Sequence, residues 1–173
     1  MNDAVIIVPY DPAWPKQYEE EKDRRHQALG SLIMQIDHIG STAVPGLGAK
    51  PIIDIIIALK NIADVTGCVL PLENIGYKHL GENGIPGRHF FRKLSKETGM
   101  RTHHLHIVGA ENEFVEKHLF FRDYLCAHPE TTQQYYQLKK ELAAKYGKDR
   151  DTYTDAKTQF IESVLAKPTP KKQ

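Results

Sequence analysis

Apolar and polar positions change their period along the chain, and each change marks an element. The run Val5 to Val8 is apolar without a break and predicts a short strand. Asp11 before Pro12 reads as a helix N-cap with proline at the first helical position, and the helix runs to about Leu29, where Gly30 stops it. Inside it, Glu20 with Arg24 and Glu21 with Arg25 stand four residues apart, which reads as a solvated face. Residues 35–40 and 51–59 are strand-like, and the second is nearly continuous in isoleucine, as a strand buried on both faces reads.

A helix over about 61–74 and short strands near 76–80, 88–94 and 102–108 follow, with Gly81, Gly84, Pro86 and Gly87 turning the chain between the first two of these strands. From Glu111 the period becomes helical. Val115, Leu119, Arg122 and Cys126 recur on one side, and Phe114, His118, Phe121 and Leu125 on the adjoining one. Pro129 restarts a helix that carries Leu138, Leu142 and Tyr146 and ends at Gly147, and a last helix from about 154 presents Ala156, Phe160 and Val164. The expected fold class is α/β (α+β): a sheet-containing core over 1–108 and a helical part over 111–166. Together they form one domain across 1–167, followed by a frayed tail at 168–173.

Composition narrows the function. With 40% hydrophobic and 26% charged residues the chain has material for a core and is not disordered. Its 23 Lys and Arg stand against 22 Asp and Glu, so there is no overall charge to draw nucleic acid or an anionic membrane, and electrostatic chemistry must be local. No apolar run reaches the ~18 residues of a membrane span. The N-terminus lacks the basic start of a signal peptide, and Cys68 and Cys126 form no framework, so a cytoplasmic location is expected.

The densest chemistry lies in HIGSTAVPGLGAKPIIDIII. Asp54 sits amid isoleucines, where an unpaired charge costs several kcal/mol, so a metal ion, a basic partner, a cleft mouth or a structural salt bridge must compensate it. Gly40 and Ser41 after a strand let the backbone approach a ligand, with Ser41 and Thr42 adding hydroxyls, although most such pairs are plain turns. Lys50 places a cation near the same mouth or is solvated surface.

That segment, with RTHHLHIV, FRDYL at 121–125, HPE at 128–130 and YTDAK at 153–157, resembles the GrpB family across nearly the whole chain. The resemblance implies a nucleotidyltransferase-like fold with a mixed-sheet core, in which Gly40 and Ser41 would hold a phosphate and Asp54 would be the first metal carboxylate and catalytic group. The second acid of that pattern falls on Ile56, so the chemistry differs from the superfamily's or has been lost. The family's domain also occurs fused to dephospho-CoA kinases, which implies an accessory or folding-assistance role as the alternative to an enzyme.

His104 and His106 lie two apart on a strand and share a face, so with Asp54 they make a candidate ligand set for a divalent ion (Mg, Mn or Zn); hydrogen bonding or phosphate binding are the alternatives. Arg88, Phe90 and Arg92 alternate on another strand and could fork around phosphates, or form a basic edge that deters aggregation. Arg122, Lys139, Tyr153 and Lys157 could close one side of a nucleotide cleft, but an Arg-carboxylate bridge and Tyr-Lys surface pairs are the preferred readings. The expected function is binding of a nucleotide or another phosphorylated small molecule, with metal-dependent transfer or an accessory role as its two forms.

Overall fold

The computed structural model describes residues 4–169. Ile53–Leu59 forms β2, buried throughout except at Asp54, as expected of a strand covered on both faces. Around it lie β1 (Ile33–Ile39), β3 (Tyr77–His79), β4 (His89–Leu94) and β5 (Arg101–Gly109), in the order β1-β2-β5-β4-β3. β2 and β5 pair in parallel, with Asp54 opposite His104 and Ile56 opposite His106; the other pairs are antiparallel, so the sheet is mixed.

Alternation divides the sheet's side chains between two faces. Ile53, Ile55, Ile57 and Leu59, with Phe91, Leu105 and Ile107, meet α1 (Trp14–Leu29) and α2 (Thr66–Asn74) in the larger core. On the other face Ile39, Ile56, Ala58 and Val108 pack against Val115 of α3 (Glu113–Ala127). The same face continues past this apolar patch to Asp54, His104, His106 and Phe90, the floor of a cleft. Its far wall comes from α4 (Pro129–Tyr146) and α5 (Arg150–Asp155); α6 (Thr158–Leu165) adds Phe160 to a third cluster with Val44, Leu47, Leu125 and Tyr135. That cluster ties the loop after β1 to the helical part.

Four expectations are corrected. Val5 to Val8 is not a strand: Val8 makes one bridge to Ala49, and the Val5 N–H bonds to the Gly147 carbonyl. α1 starts at Trp14, because Asp11 accepts the Ala13 N–H at 2.8 Å and caps the turn before the helix. Its acidic and basic run is not all solvated, since Glu21 and Arg25 are buried against the sheet. The last helix is two, α5 beginning where Asp149 accepts the Thr152 N–H at 3.0 Å, and α6 beginning at Thr158. α4 buries Thr132, Tyr135 and Lys139, while Leu138, Leu142 and Tyr146 are only half-buried. On α3, Val115 is buried and Cys126 exposed, and Arg122 donates to the His38 carbonyl at 3.0 Å and pairs with Asp37. Of the expected tail, 168 and 169 are exposed and 170–173 lie outside the described residues. Among the described residues no helix is long and apolar enough to cross a membrane.

Candidate functional site

The cleft has a volume of about 500 Å³. β1 ends at Ile39, and Gly40 turns the chain with φ 72°, a conformation that favours glycine, into a short 3-10 turn at Ser41–Ala43. A Cβ on Gly40 would stand 2.9 Å from Asp54 Oδ2, so what the missing side chain admits is the Asp54 carboxylate itself. Ser41 lines the cleft beside Tyr135, to whose hydroxyl it is hydrogen-bonded. Thr42 also lines it, but its hydroxyl is engaged internally, by His38 Nε2 at 2.8 Å and by donation to the Ile52 carbonyl.

Asp54 is compensated by imidazoles. His104 Nδ1 lies 3.3 Å and His106 Nε2 3.6 Å from Asp54 Oδ1, so strand alternation brings all three to one place. Arg88 Nη1 donates to His106 Nδ1 at 3.4 Å, which leaves the ring proton on Nε2, facing the carboxylate. Burial alone would raise the Asp54 pKa, but the hydrogen bonds from His104 and His106 outweigh it and hold the carboxyl well below the usual range. Burial pushes His106 down to about 4, so at neutral pH the pair is a carboxylate and an uncharged imidazole.

Arg88, just before β4, and Arg92 within it do not fork around one phosphate. Arg88 is buried, its Nη2 donating to the carbonyls of Glu82 at 3.0 Å and Asn83 at 2.9 Å, and its guanidinium lies over the Phe90 ring. Arg92 lines an adjoining cleft instead. Lys50 does reach the Asp54 cleft, with its amine 5.5 Å from the Tyr153 ring.

Sequence reasoning preferred a surface role for residues that form the helical wall. Lys139, read as surface, is 2% exposed; its amine sits 4.9 Å from the Tyr135 ring with no hydrogen-bond acceptor. Lys157, also read as surface, lies 4.5 Å from the ring of Tyr153, which is itself fully buried. Burial, then the positive charge of Lys157 and Lys50, pushes Lys139 down to about 6; burial, then Lys157 and Arg150, brings Lys50 to about 7. Lys157 is lowered to about 8, by burial first. The signal was present as Tyr135 and Lys139, and Tyr153 and Lys157, each four residues apart, but such pairs look alike whether they face solvent or a cleft.

Six basic side chains therefore line the cleft, Lys50, Arg88, Arg101, Lys139, Arg150 and Lys157, against two acids, Asp54 and Asp151. These residues do not fit a resident divalent ion. Among the described residues no group of three His, Cys, Asp or Glu is arranged to hold one. Ile56, where a second carboxylate would stand beside Asp54 on the strand, is 1% exposed inside the α3 core, and three lysines line the cleft with Asp54. The same arrangement favours an anion, which would draw a proton onto the buried Lys139 amine and pair the charge that burial otherwise disfavours.

The family described as GrpB protein matches residues 4–167. Among curated relatives, the UPF0157 protein YqkA of Bacillus subtilis is 40% identical over 160 residues, covering 92% of this chain and 46% of its own length. The glutamate-rich protein GrpB of Alkalihalophilus pseudofirmus is 37% identical over 163 residues, with 93% of this chain and 94% of that one covered. A dephospho-CoA kinase of Mycolicibacterium paratuberculosis is 29% identical over 184 residues, which are 45% of its length. The chain thus spans about half the length of some relatives and nearly all of others. The crystal structure of a conserved protein GrpB from Enterococcus faecalis superposes with a TM-score of 0.85 at 39% identity, covering 92% of this chain and 94% of that one.

Proposed function

The chain belongs to the GrpB family, and from that membership and the charge of the cleft we propose that it binds a nucleotide or another phosphorylated small molecule between the sheet and the C-terminal helices. Lys139 carries the proposal. A buried amine without an acceptor, beside two more lysines, is costly in the empty protein and is satisfied when phosphate oxygens enter. Lys50, Lys139 and Lys157 would take the phosphate, with Ser41 as a hydroxyl donor at the turn. The Asp54, His104 and His106 group would order the floor beneath it.

Ile56 favours binding over two-metal phosphoryl transfer, because the residue at that position is part of the core that seats α3. It also supports a second reading, an accessory module that keeps the phosphate site without turnover. The likeness to part of a protein named dephospho-CoA kinase is in line with that role.

Lys139→Met should move binding and stability in opposite directions. Inorganic phosphate and nucleoside phosphates should bind at least tenfold more weakly by calorimetry, in keeping with ~1.5 to 3 kcal/mol for a hydrogen bond to a charged group. The empty variant should unfold at higher denaturant, by about 1 to 3 kcal/mol, since a desolvated and unpaired polar group is removed. Unchanged affinity would take Lys139, and the proposal with it, out of the cleft's function.

A further inference from the structure

Resting on the phosphate reading of the Asp54 cleft, we propose that a second anion subsite adjoins it, built on Arg92 and Lys148 with Arg101 and Arg150 between the two, so that the natural ligand is a small molecule with two separated anionic groups. A second cleft of about 480 Å³ opens beside the first, and Asn83, Phe90, Arg101, Arg150 and Asp151 line both, so the two are lobes of one continuous depression. The second lobe adds Arg92, Lys148 and the apolar side chain of Leu80.

Charge and register both point to this lobe. Its four cations face two acids, and one of these, Asp149, is occupied at the start of α5, where it accepts from the Thr152 N–H at 3.0 Å and hydroxyl at 2.6 Å. Arg92 is half-buried and, among the described residues, has no carboxylate partner. It is also in line with the first subsite: Asp54 pairs with His104 across β2 and β5, and His104 with Arg92 across β5 and β4. With side chains alternating, all three project from the same face in one row. Two strand spacings of ~4.8 Å separate the ends of that row, which puts Arg92 on the order of 10 Å from Asp54 along the floor that the two lobes share. That span fits phosphates on opposite ends of a small molecule, and exceeds that of the adjacent phosphates of a diphosphate. Phe90 and Leu80 offer apolar contact to the uncharged part between them.

The test is to soak crystals of the full chain in inorganic phosphate and to titrate the chain with fructose 1,6-bisphosphate. Two phosphate positions are expected in the unaltered protein, one beside Lys139 and one beside Arg92. Arg92→Gln combined with Lys148→Gln should empty only the second, and Lys139→Met only the first. The bisphosphate should bind the Arg92→Gln chain at least fivefold more weakly than the unaltered one. A single phosphate position beside Lys139, or a bisphosphate affinity indifferent to Arg92→Gln, overturns the second subsite and leaves the first standing. Phosphate at neither position overturns the broader reading as well.

Discussion

Asp54 is a carboxylate in an isoleucine strand whose charge is met by two imidazole N–H groups and by the lysines above it. The sign of its contribution follows. With its pKa depressed in the folded chain, it stabilises at pH above the unfolded value of ~3.9, and that stabilisation is lost as pH falls through the folded value. Asp54→Asn keeps the shape but presents a weaker acceptor to His104 and His106 and removes a negative charge from among cations. It should lower stability by about 1 to 3 kcal/mol at pH 7, read as a reduced urea midpoint. A midpoint that stays level or rises would mean that the imidazoles do not compensate the charge. Cys68 and Cys126 are free and do not line this cleft.

At the scale of elements, α1 is held to the sheet by ionic as well as apolar contacts. Glu21 pairs with Arg25 on its own helix and with Lys93 of β4, and Tyr77 of β3 donates to it at 3.3 Å while accepting from Arg25. Such a network forms only when α1 lies at one position along the strands, so it selects a register that apolar packing alone would leave loose. Glu21→Ala strands Arg25 and Lys93 and should cost about 3 to 5 kcal/mol. The pair Glu21→Leu with Arg25→Met should recover most of that loss, because a buried ion pair is replaceable by apolar groups of similar volume. Denaturant unfolding of the single and double variants checks it, and a double variant as weak as the single one would show that the network has no apolar substitute.

Across the whole molecule, three half-buried histidines stand in unlike places: His38 under α1 and the 3-10 turn, His103 beside Tyr77, and His106 at the cleft floor. Burial is the leading cause in each, and each is pushed down to about 4. The unfolded chain takes up these protons near pH 6.5 and the folded chain only near 4, so between those values acid favours unfolding. Stability should hold steady above about pH 6.5 and then fall, at up to ~1.4 kcal/mol per pH unit for each histidine. Urea midpoints at pH 7, 5.5 and 4.5 measure this. A flat profile would mean that the folded protein protonates these rings as readily as the unfolded chain does.

How much of this was legible beforehand depends on the range of the interactions involved. The isoleucine run of β2, the alternation of β5 and the proline restart of α4 are local patterns, and from them the mixed α/β core and the helical C-terminal part could be read. Alternation also placed His104 and His106 on one face, and a charge amid isoleucines announced that Asp54 needed compensation. Only the tertiary structure decided which partner met that need. Parallel pairing of β2 with β5 set the imidazoles opposite the carboxylate, although these residues lie far apart in the chain. It likewise decided that Glu21 and Arg25 turn inward, that Arg88 and Arg92 part into neighbouring lobes, and that Lys139 is enclosed. Hydrophobic periodicity assigns lysine and arginine to solvent because they are usually solvated there. Whether one is enclosed is set by what surrounds it, and Lys139 shares its cleft with Ser41 of the turn after β1, Lys50 and Tyr153 of α5, which meet only when the sheet and the C-terminal helices close on each other.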